Sequence, residues 1–401
     1  MKRVIVLGDG MADKPVPELG GRTPLMAAET PTMDWVAREG RTGRFRTIED
    51  DLPTGSAVAN LSVMGYDPHE AFHGRGVLEA ASLGVTLSET DMASRINLIC
   101  VENERIRSHS AGHISDEEAH SLIADLRAHF EDLDIRLIPG LSYRHVLVVP
   151  EGDPRLVCAP PHDHVGGRVR DLLVKPEVTA ATSTADLLNH LILESQAFLE
   201  YHPINQRRRE RGEQAANSLW PWSPGRKPKM ETFKERFGVT GAVITAVDLI
   251  KGLGIYAGLD VIEVEGATGL YDTNYEGKAD ACLAALEERD FVYVHVEAAD
   301  EAGHERDAAL KVRCIEDLDR RLLRRILDGL SDRGQEAVIA LLPDHLTPVA
   351  DGKHTRDPVP FAIWHPRKPG DGVSKFDEED VKEGVLGLIR GDRFIREVMG
   401  D

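Results

Sequence analysis

Cysteine is scarce and scattered: Cys100, Cys158, Cys282 and Cys314 are the four in 401 residues, and no two form a CxxC pair. That argues against a thiolate zinc site and a disulfide framework and fits a reducing cytoplasm. Aromatic residues make up only 5%, so the cores must be built from Leu, Val, Ile and Ala. Basic charge is short as well, with 48 Lys plus Arg against 68 Asp plus Glu and a net charge of −20. So acidic a chain lacks the footprint that nucleic acid or an anionic membrane requires. An anionic small molecule stays open, because bound divalent metals and a few local arginines invert the potential inside a cleft. No run reaches the roughly 18 to 20 apolar residues of a spanning helix. The start, MKRVIVLGDGM, has too short an apolar stretch for a signal peptide. A GxxxxGK[ST] phosphate loop is also missing. The expectation is a soluble cytoplasmic protein that acts on a small molecule, with neither nucleic acid nor membrane as partner. Nothing in the sequence sets an oligomeric state.

What is present points to two domains, since 401 residues with 41% hydrophobic content can bury two cores. Val4–Leu7 is an unbroken apolar run that ends in Gly-Asp-Gly, as expected of a strand buried on both faces. Phe291–Glu297, Ala337–Leu342 and Pro360–Trp364 read the same way. Between the first two of these, Leu310, Ile315, Leu318, Leu322 and Ile326 recur at helical spacing. Strand, helix and strand in that order predict a mostly parallel sheet covered by helices. The middle is different. Ser115 with Glu118 marks a helix start, short strands follow at 135–138 and 145–149, and a second helix spans about 185–200. Residues 201–229, with Pro203, Pro221, Pro224 and Pro228, read as turns. The predicted organisation is α/β: a discontinuous core of residues 1–92 plus 240–401, and an inserted smaller α+β domain over 93–239.

Three clusters in the core carry residue types suited to divalent metals. They are Asp9; Asp300-Glu-Ala-Gly-His304; and Asp344-His345 followed by Asp351-Gly-Lys-His354. Each follows a predicted strand, and in an open α/β sheet the functional edge lies at the carboxyl ends of the strands. Carboxylates with imidazoles and no thiolate suit Mn²⁺, Zn²⁺ or Mg²⁺. Ser56, in Pro53-Thr-Gly-Ser-Ala-Val-Ala-Asn60, reads two ways. It caps a helix that starts at Ala57, or it is a nucleophile held at a helix N-terminus beside a metal. One geometry can serve both.

These segments resemble the archaeal-type cofactor-independent phosphoglycerate mutases of the alkaline phosphatase superfamily. The resemblance covers nearly the whole chain. It is carried by Gly8-Asp-Gly-Met-Ala-Asp13, Pro31-Thr-Met-Asp34, Gly55-Ser56 with Asn60, Gly65-Tyr-Asp-Pro68 and Gly74-Arg-Gly76. Asp248-Leu-Ile-Lys-Gly252, Gly266-Ala-Thr-Gly269, Asp300–His304, Asp344-His-Leu-Thr-Pro348 and His354 with Asp357-Pro-Val-Pro360 continue it. It implies an alkaline-phosphatase-like fold whose insert is a substrate-binding cap. It implies two divalent ions, manganese first with magnesium or zinc as alternatives, and no 2,3-bisphosphoglycerate. One ion falls to Asp300, His304 and His354, and the other to Asp9, Ser56, Asp344 and His345. Ser56 then carries the phosphoryl group as 2- and 3-phosphoglycerate interconvert.

Candidates for the substrate carboxylate are His109 and His113 in Ser108-His-Ser-Ala-Gly-His113, with Arg75, Lys251 and Arg207. Arg95, His162 and His164 are further candidates, while the arginine run 207–211 also reads as a solvated helix face. Many relatives carry an acidic residue after the nucleophile, where this chain has Ala57. The His109–His113 segment and Trp220-Pro-Trp-Ser-Pro-Gly225 are similar to a bacterial offshoot with a proposed homoserine kinase role, which makes phosphoryl transfer to another acceptor the alternative.

Overall fold

The apolar runs form the middle of an eight-stranded sheet in a computed structural model that describes residues 1–400. In spatial order the strands are Asp260–Ile262, Gly241–Ile244, Phe291–Val296, Lys2–Gly8, Ala337–Leu342, Val359–Trp364, Arg41–Phe45 and Gly387–Ile389. Lys2–Gly8 lies at the centre, parallel to Phe291–Val296 on one side and to Ala337–Leu342 on the other. All three are buried along nearly their whole length, which explains why they are apolar without alternation.

One strand runs against the rest. Val359–Trp364 is antiparallel to both of its neighbours, so the sheet is mostly parallel rather than wholly so. No helix separates it from Ala337–Leu342, and a parallel return would need a crossover. The chain therefore turns back at the carboxyl edge, and residues just before Val359 belong to that edge. The helical stretch expected through Leu310 and Ile326 is found as Ala308–Asp332, with a wider π-helical turn at Leu318–Leu323.

The chain divides into two compact units, Met1–Phe72 with Lys229 onward, and His73–Pro228. The chain crosses between the units at 72/73 and 228/229, not at 92/93 and 239/240. The Arg75–Ser82 helix belongs with the insert because Gly76 lets its backbone touch the insert sheet. A Cβ there would stand 2.7 Å from Ala93 O and Arg95 N. At the other crossing, Phe233 stacks on Phe291 of the core sheet with centroids 4.8 Å apart.

Within the insert, Met92–Glu102 pairs antiparallel with Arg105–Ser108, Arg144–Val149 and Ser218–Arg226. Asp116–His129 and Thr182–Glu200 supply its long helices, and Ser115 Oγ accepts the Glu118 N–H at the start of the first. The region read as turns, 201–229, instead holds the helix Pro203–Glu210 and the strand Ser218–Arg226. Pro203 stands in the first turn of that helix, where its missing N–H costs nothing. Pro221 and Pro224 lie on a strand that pairs on one side only, where proline removes no ladder bond. Among the described residues, no helix is long and apolar enough to cross a membrane.

Candidate metal centre

Register delivers the acidic residues to one edge. Leu7 pairs with His295 and with Leu342, so Asp9, Glu297 and Asp344 all emerge one or two residues past paired positions. The Asp9 N–H extends the ladder to Val296 O at 2.8 Å. Asp300 and His304 lie on the short helix Ala298–His304 that follows, four apart and so on one face. His354 reaches the same place because Val359–Trp364 starts at this edge. Ser56 stands just past the loop that follows Arg41–Phe45. Gly10 allows the approach: its φ is +59°, and a Cβ would sit 2.4 Å from Asp300 Oδ1.

Asp300, His304 and His354 form one group and Asp9, Asp344 and His345 another, each with ligand-type atoms within 4.8 Å of one another. The second group is deep, with all three residues at 0% exposure. The first is more open, with side-chain exposures of 38% for His304 and 20% for His354 over a buried Asp300. The His345 and His354 rings stack at 3.9 Å and so link the groups. Ser56 Oγ lies 3.2 Å from His345 Nε2.

The hydroxyl is not a helix cap. Ser56 is the first helical residue of Ser56–Val63, Gly55 is the N-cap with φ 152°, and no side chain caps this end. That corrects the capping reading: the cap position falls one residue earlier, leaving the Ser56 hydroxyl directed at the histidine. Asn60, one turn on, donates to Ser56 O at 2.8 Å and to Asp344 Oδ2 at 2.9 Å, and the Tyr293 hydroxyl donates to Asn60 Oδ1. Asp344 Oδ1 accepts the N–H groups of Gly10 and His345.

The electrostatics fit cations. Burial first, then Asp344, Asp300 and Glu297, push the Asp9 carboxyl well above its usual range, and its Oδ1 has no hydrogen-bond partner. Burial also raises the Glu297 carboxyl, and its Oε2 is unpartnered. Against the upward push of burial, hydrogen bonds with His304 and His354 hold Asp300 well below the carboxylate range. The bond to Asp300 raises His304 to about 9. Its Nε2 stands 3.0 Å from His354 Nε2. Two lone pairs so placed repel unless a proton or a metal ion lies between them. Both imidazole Nδ1 atoms that face ordered partners, His304 to Gly352 O and His345 to Thr347 Oγ1, leave Nε2 as the free ligand atom. The residues therefore fit divalent ions.

The remaining expected residues fall in separate places. Lys251, in the core helix Asp248–Tyr256, pairs with Glu263 at 2.9 Å and Asp248 at 3.7 Å. In the insert, Arg75, His109 and His113 do come together. Trp222 has Arg95 at 4.8 Å, Arg75 at 5.7 Å and His162 at 5.1 Å, and His109 and His113 both stand edge-on to Tyr143 at 5.8 Å. Asn97 ties this cluster by accepting from Trp222 Nε1 and donating to His109 O. Burial lowers Arg95 to about 10, with Arg75 adding to the effect and Glu79 opposing it. Arg207 is not part of the cluster. It lies on the exposed face of Pro203–Glu210, where helical spacing turns Arg208 inward to Glu118 and Ala111 O instead. His295, Glu297 and Thr347 were missed in the sequence. The available signal was a histidine within the otherwise apolar strand Phe291–Val296, since a buried imidazole needs partners.

A mostly parallel α/β core with two carboxylate–imidazole groups around a serine defines a metal-dependent enzyme of the phosphoryl-transfer kind. Comparison with known proteins narrows this. The family model described as 2,3-bisphosphoglycerate-independent phosphoglycerate mutase matches residues 37–205. A protein of that name from Methanosarcina barkeri is 47% identical, over 98% of each chain. The solved PH0037 protein from Pyrococcus horikoshii superposes with a TM-score of 0.84 at 33% identity, covering 100% of this chain and 97% of its own. A cofactor-independent phosphoglycerate mutase from Thermoplasma acidophilum gives a TM-score of 0.68 at 28% identity, covering 100% and 99%. The chain belongs to the 2,3-bisphosphoglycerate-independent phosphoglycerate mutase family. These names favour the mutase over the homoserine kinase alternative.

Proposed function

We propose that the chain carries out its family's reaction, interconversion of 2- and 3-phosphoglycerate, with the Ser56 hydroxyl as nucleophile and phospho-Ser56 as intermediate. The observation that carries this reading is Ser56 Oγ set 3.2 Å from His345 Nε2 at the edge of a buried carboxylate pair. Asp300, His304 and His354 would hold one divalent ion, and Asp9, Ser56, Asp344 and His345 a second, with manganese first for this mixed donor set. Such ions acidify a serine hydroxyl and neutralise phosphate oxygens when bound.

The protein's own share follows from geometry. Ser56 Oγ gives up its proton and bonds to phosphorus as the bond to the substrate oxygen breaks; that oxygen takes a proton. The phosphoryl group then lies at the start of Ser56–Val63, where first-turn N–H groups are free to donate to it. Asn60 holds the serine backbone and Asp344 together while this happens. The released glycerate returns its other hydroxyl to phosphorus and frees Ser56. In this reading the insert supplies the groups for the substrate carboxylate: Arg75, His109 and His113. All four cysteines are unpaired, which fits a reducing cytoplasm.

The test is an enolase-coupled assay on manganese-loaded protein with 3-phosphoglycerate and no 2,3-bisphosphoglycerate. Turnover supports the mutase. No turnover, together with ATP-dependent phosphorylation of homoserine, would replace it with the kinase alternative.

A further inference from the structure

Asp9 has an imidazole on each side. His345 Nε2 stands 3.5 Å from its Oδ1, and His295 Nε2 stands 3.0 Å from its Oδ2. The far nitrogens of the two rings meet different partners. Thr347 donates its one hydroxyl proton to Asp300 Oδ1, so its oxygen can only accept from His345 Nδ1, 3.2 Å away. The His345 proton therefore sits on Nδ1, and the Nε2 lone pair faces Asp9, Asp344 and Ser56.

His295 has the opposite arrangement. A neutral imidazole that accepts at Nδ1 carries its proton on Nε2, shared here with Asp9 Oδ2 at 3.0 Å. Nδ1 is the acceptor. It faces Thr245 Oγ1 at 3.2 Å, and that oxygen already accepts the Val247 N–H, which leaves the hydroxyl proton to point at the ring. Lys278, buried at 1% exposure, donates to His295 O at 2.9 Å and fixes the strand at this residue.

We infer that His295 is a positioning residue for Asp9, a neutral Nε2–H donor held by Thr245, and not a cation ligand. It occupies Oδ2 and leaves Oδ1, the unpartnered oxygen, as the single ligating atom of Asp9. Asp9, His295 and Glu297 also lie within ligand distance of one another, but a ring that donates from Nε2 has no lone pair there for a third ion. The inference rests on the proposed two-ion site only in making Asp9 a ligand.

The experiment is ¹⁵N NMR of the imidazoles of the full chain, metal-free and then loaded with Mg²⁺ or Zn²⁺, with His295→Gln assigning the signal. The expected result is a protonated Nε2 and an unprotonated Nδ1 on His295 in both states, and the reverse on His345. A His295 Nε2 that is unprotonated, or that loses its proton on loading, overturns the inference. Calorimetry with Mn²⁺ gives the second readout. His295→Gln, which returns an N–H to the same place, keeps affinity within about threefold, whereas His295→Leu weakens it by about 10- to 100-fold. If the leucine variant does not fold, Thr245→Val must weaken binding in the same direction. Unchanged affinity in His295→Leu or in Thr245→Val, or a third ion lost in His295→Gln, overturns the inference. Failure of mutase turnover would leave the NMR result standing, so the two proposals fail separately.

Discussion

Ser56 Oγ faces His345 Nε2 at 3.2 Å although Ser56 is already inside its helix. A serine that capped the helix would be worth about 1 kcal/mol; here that role is not taken by any side chain. Ser56→Ala should therefore abolish turnover while changing unfolding free energy by less than about 0.5 kcal/mol. Denaturant titration alongside the coupled assay checks both halves. A loss of 1 kcal/mol or more would restore the capping reading.

Lys311 is fully buried, and its Nζ donates to Asp13 Oδ2 at 2.7 Å, Thr347 O at 2.8 Å and Ala12 O at 3.1 Å. It thus joins the loop after the central strand to the loop that carries Asp344 and His345. Lys311→Met leaves Asp13 buried without its partner and should cost about 3–5 kcal/mol. Asp13 Oδ2 also accepts the Val349 N–H, so the double variant Lys311→Met with Asp13→Leu should recover only part. Urea unfolding of the three proteins measures this; a single-variant cost below about 1 kcal/mol would mean the tie carries little.

Glu378 accepts from Asp13 N and Thr23 Oγ1, and burial raises its carboxyl from 4.5 to about 7. A folded pKa above the unfolded one means the native state holds the proton longer. Its contribution is full below about pH 4.5 and declines as pH rises towards 7. The melting temperature of Glu378→Gln relative to wild type should therefore climb from pH 5 to pH 8. A difference that stays flat over that range would contradict the assigned shift.

Removing divalent ions leaves Asp9, Glu297, Asp300 and Asp344 to repel one another in a buried site. Chelated protein should regain about 2.7 kcal/mol when manganese is returned at a hundred times its dissociation constant. Asp344→Asn should blunt that gain. An equal gain in the variant would place the ions elsewhere.

Much of this site is legible in the sequence because the proposed ligands follow buried apolar strands, and parallel register turns sequence position into a shared edge. Asp9, Asp300 and Asp344 are readable for that reason. His354 is readable by type, but its arrival depends on the antiparallel return of Val359–Trp364, which no local pattern states. Ser56 could be placed at a helix start, yet capping and N1 differ by one residue, below what sequence resolves. Pro221 and Pro224 hid an edge strand because proline signals turns more often than strand edges. The insert boundaries moved because Gly76 and Phe233 act through tertiary contacts.

The central claim is that Ser56 carries the phosphoryl group. Acid quenching of manganese-loaded protein during turnover of 3-phosphoglycerate, followed by peptide mass spectrometry, tests it most directly. The account predicts one phosphoryl group on the peptide containing Ser56, absent from Ser56→Ala. Steady turnover with no phosphoserine at any quench time, or turnover that survives Ser56→Ala, would contradict it.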